Sequence, residues 1–261
     1  MGRVGLVMCD AAMSFMWVWA GGLVKLLVCD ALGLGHRPGG EALKMALVVG
    51  YMFLFAWLGH VTRGGAYNPL TALSYAFSGG PDGFLFTALG RIPAQVSSFA
   101  RLDSAPFWSI CQCRFPDSVI GSATGVRFIK QTFPSIGHGP RLSIDIHRGA
   151  WTEGFLTFMI VMASLMLKKK DPGSFFMKTW ISSIFKLALN VLGSDLTGGI
   201  MNPASAFAWA YARGDHITLD HLIVYWFAPI QATLLAVWTF GLLAEPKSKA
   251  QKAEEDKVKS E

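Results

Sequence analysis

The chain has 261 residues, 52% of them hydrophobic and 15% charged, and carries a formal net charge of +6. A mean hydropathy of +0.40 excludes a single large soluble core and points to a chain that crosses the bilayer several times. The basic balance is not a nucleic-acid signature, because the lysines lie between and after apolar stretches, so no nucleic-acid partner is expected.

The first apolar stretch, residues 4–28, is too long for a cleavable signal and contains Asp10, Trp17 and Trp19. Residues 42–61 form the second. Then comes "GGAYNPLTALSYAFSGG", residues 64–80, with Asn68 and Pro69 inside an apolar region. Residues 84–96 are apolar but too short to cross. They are followed by "SSFARLDSAPFWSICQCRFPDSV", residues 97–119, whose Arg101, Asp103, Arg114, Asp117, Pro106 and Pro116 are incompatible with a spanning helix. Joining 84–96 directly to 120–126 restores a stretch of ordinary span length. That predicts an in-frame insertion at 97–119, equally placed at 96–118; a genuine extended loop is the rival reading.

Residues 151–167 and 175–192 are the fourth and fifth stretches, with Lys168, Lys169 and Lys170 between them. "GGIMNPASAFAWAYARG", residues 198–214, precedes the last stretch, 222–243. The tail after Pro246 alternates Lys with Glu, a composition that predicts disorder. Its last residues, Lys257-Val-Lys259-Ser-Glu261, have the form of a cytosolic K-x-K-x-x retrieval signal. By the positive-inside rule the loop of Lys168 to Lys170 and the tail are cytosolic, and an even number of spans puts the N-terminus there too. Cys9, Cys29, Cys111 and Cys113 have no zinc spacing and no obvious disulfide framework.

The chain is written twice. Residues 64–80 and 198–214 align without a gap and are identical at seven of seventeen positions. Asp10-x-x-x-Ser14-Phe15 is echoed by Glu153-x-x-x-Thr157-Phe158, and Pro93-x-Gln95 by Pro229-x-Gln231. Three spans per repeat is an odd number, so the second copy enters the membrane from the opposite face. The segments 69–77 and 203–211 reach only about 13 Å as helices and are expected to be re-entrant. Asn caps a helix and Pro suits its first position, so two half-helices are expected to meet near the bilayer centre with their positive ends together. Asn68 and Asn202 would there offer N–H donors to a passing solute. Lys186 lies one turn before Asn190 on the same face. It either serves a pore or faces a neighbouring subunit or the interface.

Paired Asn-Pro boxes, six spans and acid-x-x-x-[Ser/Thr]-Phe openings together resemble the aquaporin, or major intrinsic protein, family over nearly the whole chain. High pI, a Lys-rich tail, the opening "MGRVGLV" and a first box reading Asn68-Pro69-Leu70 look most like the second subgroup of the plant small basic intrinsic proteins. The second box, Asn202-Pro203-Ala204, is intact. The resemblance implies an all-α membrane protein of six transmembrane helices plus two re-entrant half-helices in an inverted repeat. It also implies a homotetramer in the lipid bilayer without cofactor or metal.

On that resemblance residues 1–244 form the channel domain, with a first repeat at 1–133 and a second at 147–244, and 245–261 are a charged cytosolic tail. Asp10 and Glu153 match the family's buried carboxylates that hold the re-entrant loops. The family's constriction positions fall on Val48, Asn190, Gly199 and Ser205. Ser205 stands where an Arg is usual, which predicts a wider filter with one electrostatic barrier fewer, and Leu70 is expected to narrow or dry the pore centre.

The function so implied is a passive channel for water or small neutral solutes. The alternative is a non-conducting scaffold or interaction protein of the endoplasmic reticulum membrane, favoured by Leu70, Ser205 and the insertion. An intramembrane enzyme has no support, since the chain contains no His-Glu-x-x-His and no nucleophile elbow.

Overall fold

The computed structural model describes residues 2–35, 37–79, 83–96 and 121–258, the last fifteen of them as backbone. The expected insertion at 97–119, Cys111, Cys113 and the final residues of the retrieval pattern lie outside the described residues. Cys9 and Cys29 are free thiols.

Five described helical stretches are long and apolar enough to cross a membrane by length and composition: Arg3–Ala31, Pro38–Val61, Ile146–Lys169, Phe175–Gly193 and Leu219–Leu243. In chain order the helices are α1 (Arg3–Leu26), α2 (Pro38–Val61), α3 (Pro69–Phe77), α4 (Phe84–Phe86), α5 (Ile92–Val96), α6 (Ser122–Thr132), α7 (Ile146–Lys169), α8 (Phe175–Gly193), α9 (Pro203–Arg213), α10 (Leu219–Leu222) and α11 (Ala228–Val258). Asp145 caps α7: the Arg148 N–H donates to its carboxylate at 3.0 Å, which holds that exposed carboxyl below its ordinary range.

Where the sequence places the third span, α4 and α5 lie before residues 97–120 and α6 after them, and both parts follow α1. Gly90 packs on Val7, Arg91 pairs with Asp10, Ser122 bonds the Ser14 carbonyl and Ile129 seats on Gly22. From Val7 to Gly22 is 15 residues along α1, and the facing pair Gly90 and Ile129 is 39 apart. Taking out 97–119 brings that separation to 16. The second part also runs further than the expected 120–126, to Thr132.

The repeat is visible in an irregularity as well as in the text. A π-helical turn precedes each of the matched prolines, Thr87–Arg91 before Pro93 and Ile223–Phe227 before Pro229. Proline has no N–H to offer the carbonyl four residues back, so the ladder slips by one. Accordingly the Ile92 N–H donates to Thr87 O and the Ala228 N–H to Ile223 O. The first turn sets Arg91 and the second Tyr225 into the interior, both buried.

The half-helices are enclosed by the other helices. Along α9, Ala204, Ala206, Ala208 and Ala210 are all buried, and small residues allow the close helix approach that packing within a bilayer requires. Val18, Ala123, Val126 and Ala208 knit α1, α6 and α9 together, and Val161, Leu165 and Ala236 join α7 to α11. Tyr75 near the end of α3 lies under the Lys168 ammonium, at the last turn of α7. Arg213 at the end of α9 instead donates to His138 O and Pro140 O, in the connection that leads into the start of α7. The two half-helices therefore end at opposite ends of the bundle.

Two sequence expectations are corrected. The second half-helix continues to Arg213, two residues past the expected end, and stops at Gly214, whose φ of +90° reverses the chain. The tail is not irregular as far as it is described: α11 runs to Val258. Ala, Lys, Gln and Glu are strong helix formers, and a helix already nucleated extends at one hydrogen bond per residue fixed.

Candidate functional site: the Asn-Pro junction and its cavity

Each half-helix begins on its own asparagine. Asn68 Oδ1 accepts from the Leu70 N–H at 3.0 Å, and Asn202 Oδ1 from the Ala204 and Ser205 N–H groups at 3.2 and 3.4 Å. Pro69 and Pro203 occupy the first helical positions, where no N–H is needed. Oriented by these caps, the amide nitrogens reach across to the other loop. Asn68 Nδ2 donates to Met201 O at 2.7 Å, and Asn202 Nδ2 to Tyr67 O at 3.3 Å. The N-terminal ends of α3 and α9 thus meet in a reciprocal pair of bonds.

That junction differs from two free donors. Asn202 Nδ2 also donates to Ser205 Oγ at 2.9 Å, so both of its hydrogens have protein acceptors, whereas Asn68 has one such bond. Both asparagines are buried, as are Leu70, Ala204 and Ser205. Leu70 is 2% exposed, so its bulk is taken up by packing.

Two buried carboxylates hold the loops. Asp10 accepts from the Ala66 N–H at 2.7 Å and forms an ion pair with Arg91, whose Nε lies 2.6 Å from Oδ2. Arg91 also donates to Gly64 O, closing the first loop. Glu153 accepts from the Thr197 hydroxyl at 2.7 Å, the Ile200 N–H at 3.0 Å and the Met201 N–H at 2.9 Å. Met201 has φ of +46°, a strained conformation for a residue with a side chain. Its N–H is held by Glu153 and its carbonyl by Asn68, which offsets the strain. Sequence reasoning missed Arg91. The available signal was a charge inside a short apolar stretch together with an unpartnered acid in the first span.

Beside the junction lies a cavity of about 480 Å³. Val48, Asn190, Gly199 and Ser205, from α2, α8, the second loop and α9, all line it. Asn190 Nδ2 donates to Gly198 O and Gly199 O at 3.3 and 3.0 Å. Gly199 has φ of +53°, and a Cβ there would lie 2.6 Å from Asn190 O, so only glycine fits.

The charged groups among the lining residues are Lys25 and Lys186. Lys25 is tied to Ile136 O at 2.9 Å. Lys186 faces this cavity rather than a neighbour or the outer surface. Its ammonium lies 4.3 Å from the ring centre of Trp17 and 4.9 Å from that of Tyr67, and donates to the Tyr67 hydroxyl at 3.1 Å. The two rings stack on each other at 3.8 Å, and Tyr51 and Phe55 meet Trp17 edge-on.

Two half-helices tied together at capped Asn-Pro boxes, each loop held by a buried acid, within a two-fold repeat of three spans, define a membrane channel fold. Comparison with known proteins agrees. Residues 94–240 match the family model described as major intrinsic protein. The chain is 54% identical over 262 residues to "Aquaporin SIP2-1" of Zea mays, covering 99% of this chain and 96% of that one. Against "Probable aquaporin SIP2-1" of Arabidopsis thaliana it is 50% identical over 262 residues, covering both chains entirely. It is 31% identical over 255 residues to "Aquaporin SIP1-2" of Zea mays, covering 94% and 95%. The chain belongs to the major intrinsic protein family, the aquaporins, and within it to the small basic intrinsic proteins.

Proposed function

We propose that this chain is a passive channel for water and small neutral solutes, each copy of a homotetramer passing them through its own pore past the two Asn-Pro boxes. The membrane is that of the endoplasmic reticulum, with both termini in the cytosol, a reading supported by the lysines after the fourth and sixth spans and by the K-x-K-x-x ending. One observation carries the channel reading: the Asn68–Met201 and Asn202–Tyr67 bonds close the two half-helices beside a cavity lined by all four constriction positions. Solute would pass Val48, Asn190, Gly199 and Ser205 and then meet the junction, where Asn68 retains one N–H for its oxygen.

The domain reading is part of the proposal. Residues 97–119 are an insertion in the third span, supported by the way both described parts of that span keep step with α1. A non-conducting scaffold is the second reading. It is favoured by the burial of both asparagines and by the engagement of both Asn202 donors.

Osmotic shrinkage of vesicles holding equal amounts of the full chain or of a form lacking 97–119 separates these readings. Shrinkage faster than empty vesicles, greater in the deleted form, is the expected result. Equal rapid shrinkage in both would remove the insertion reading. No shrinkage by either form would leave the scaffold.

A further inference from the structure

The four constriction positions Val48, Asn190, Gly199 and Ser205 bring no charge to the cavity. A charge enters from elsewhere. We propose that Lys186 is the cation-excluding residue of this pore, its ammonium fixed beside the Asn-Pro junction by the Trp17 and Tyr67 rings and the Tyr67 hydroxyl. The inference rests on the channel reading above.

The position follows from Tyr67. Its hydroxyl accepts from Lys186, and its backbone carbonyl accepts from Asn202 and from Ser14. A single residue, the one preceding Asn68, therefore links the ammonium to the junction where the half-helices meet. The positive ends of α3 and α9 point toward that same place, so their partial charges add to that of the lysine.

What holds the ammonium brings no countercharge to it. A carboxylate partner would fix Lys186 equally well but would cancel its field. Aromatic faces and a neutral hydroxyl hold the ammonium without cancelling its field in the cavity. The two buried acids of the loops are committed elsewhere, Asp10 to Arg91 and Ala66, Glu153 to Thr197, Ile200 and Met201. No carboxylate stands among the described residues lining the cavity; Lys25, whose ammonium donates to Ile136 O, adds a second positive charge, but it is Lys186 that is bonded to the residue preceding Asn68. Tyr51 against Trp17 and Phe55 against Tyr67 brace the two rings. A cation in this cavity meets uncompensated like charge, while a neutral solute meets N–H donors and aromatic walls.

Wild type, Lys186→Met and Lys186→Arg would be placed in vesicles. Osmotic shrinkage and the entry of protons and sodium would be read from the same preparation, and cation entry expressed relative to shrinkage. Expected is cation entry no faster than in empty vesicles for wild type and Lys186→Arg, and a ratio on the order of tenfold above that of wild type for Lys186→Met. Lys186→Gln, polar and of similar reach, replaces the Met variant if that one fails to fold. A neutral variant that shrinks and stays as cation-tight as wild type would overturn the proposal. Absence of shrinkage in every form, wild type included, would instead overturn the channel reading and this inference with it.

Discussion

The Asn68 amide donates to the Met201 carbonyl at 2.7 Å, across 133 residues of chain, and so ties the cap of one half-helix to the strained loop that leads into the other. Neither end is formed alone. Asn68 is oriented by capping α3, and the Met201 carbonyl is turned toward it because Glu153 holds the neighbouring N–H groups. The junction is one cooperative unit built from both repeats.

Asn68→Leu keeps the branched outline but removes the cap and the cross-loop bond together. A lost cap costs about 1 kcal/mol and an unsatisfied buried carbonyl about 1–3 kcal/mol. A lower midpoint of thermal unfolding in detergent is expected, with a smaller loss for Asn68→Ser, which keeps a capping oxygen. Equal midpoints for Asn68→Leu and wild type would contradict the role given to this bond.

Asp10 and Arg91 form an ion pair with both side chains nearly inaccessible. Removing one partner strands the other, at a cost of about 3–5 kcal/mol, so Arg91→Met destabilises strongly. Asp10→Asn combined with Arg91→Met should lose much less than the sum of the two single changes. A double-mutant cycle on unfolding midpoints measures that coupling, and strict additivity would mean the pair contributes nothing jointly.

Gly199→Ala meets Asn190 O and forces a positive φ on a residue with a Cβ. The expected result is loss of stability by more than about 1 kcal/mol and loss of water flux. Gly21→Ala in α1 is the matched control, because nothing lies within 4 Å of a Cβ there. It should stabilise, or change the midpoint little.

Ser205→Ala frees one Asn202 N–H, which now bonds Ser205 Oγ at 2.9 Å. If that donor then serves the permeating solute, vesicle shrinkage should quicken by about two- to tenfold, the factor corresponding to one ordinary hydrogen bond at a limiting step. Unchanged shrinkage in a well-folded variant would show that Asn202 does not limit flow.

The features legible in the text are those governed by near neighbours. Asn68-Pro69 and Asn202-Pro203 announce capped half-helices because a cap depends on the next two or three residues. The π-helical turns at the two matched prolines were not read from the text, although their cause is equally local, the missing N–H acting on a carbonyl four residues away. The internal repeat, and with it the inverted architecture, was readable because two seventeen-residue segments align without a gap and share seven residues.

What only the tertiary structure decided is which groups meet. Asp10 pairs with Arg91, Ser205 takes a donor from Asn202, and Lys186 finds Trp17 and Tyr67 rather than lipid or another subunit. The first and last of these join residues 81 to 169 positions apart. They depend on how each helix is rotated and set against its neighbours, which the packing of Val18, Ala123, Val126 and Ala208 and the seating of Ile129 on Gly22 impose. Local sequence determines where helices begin, bend and end. The partners of a buried charge are chosen by close packing among helices, which no local pattern encodes.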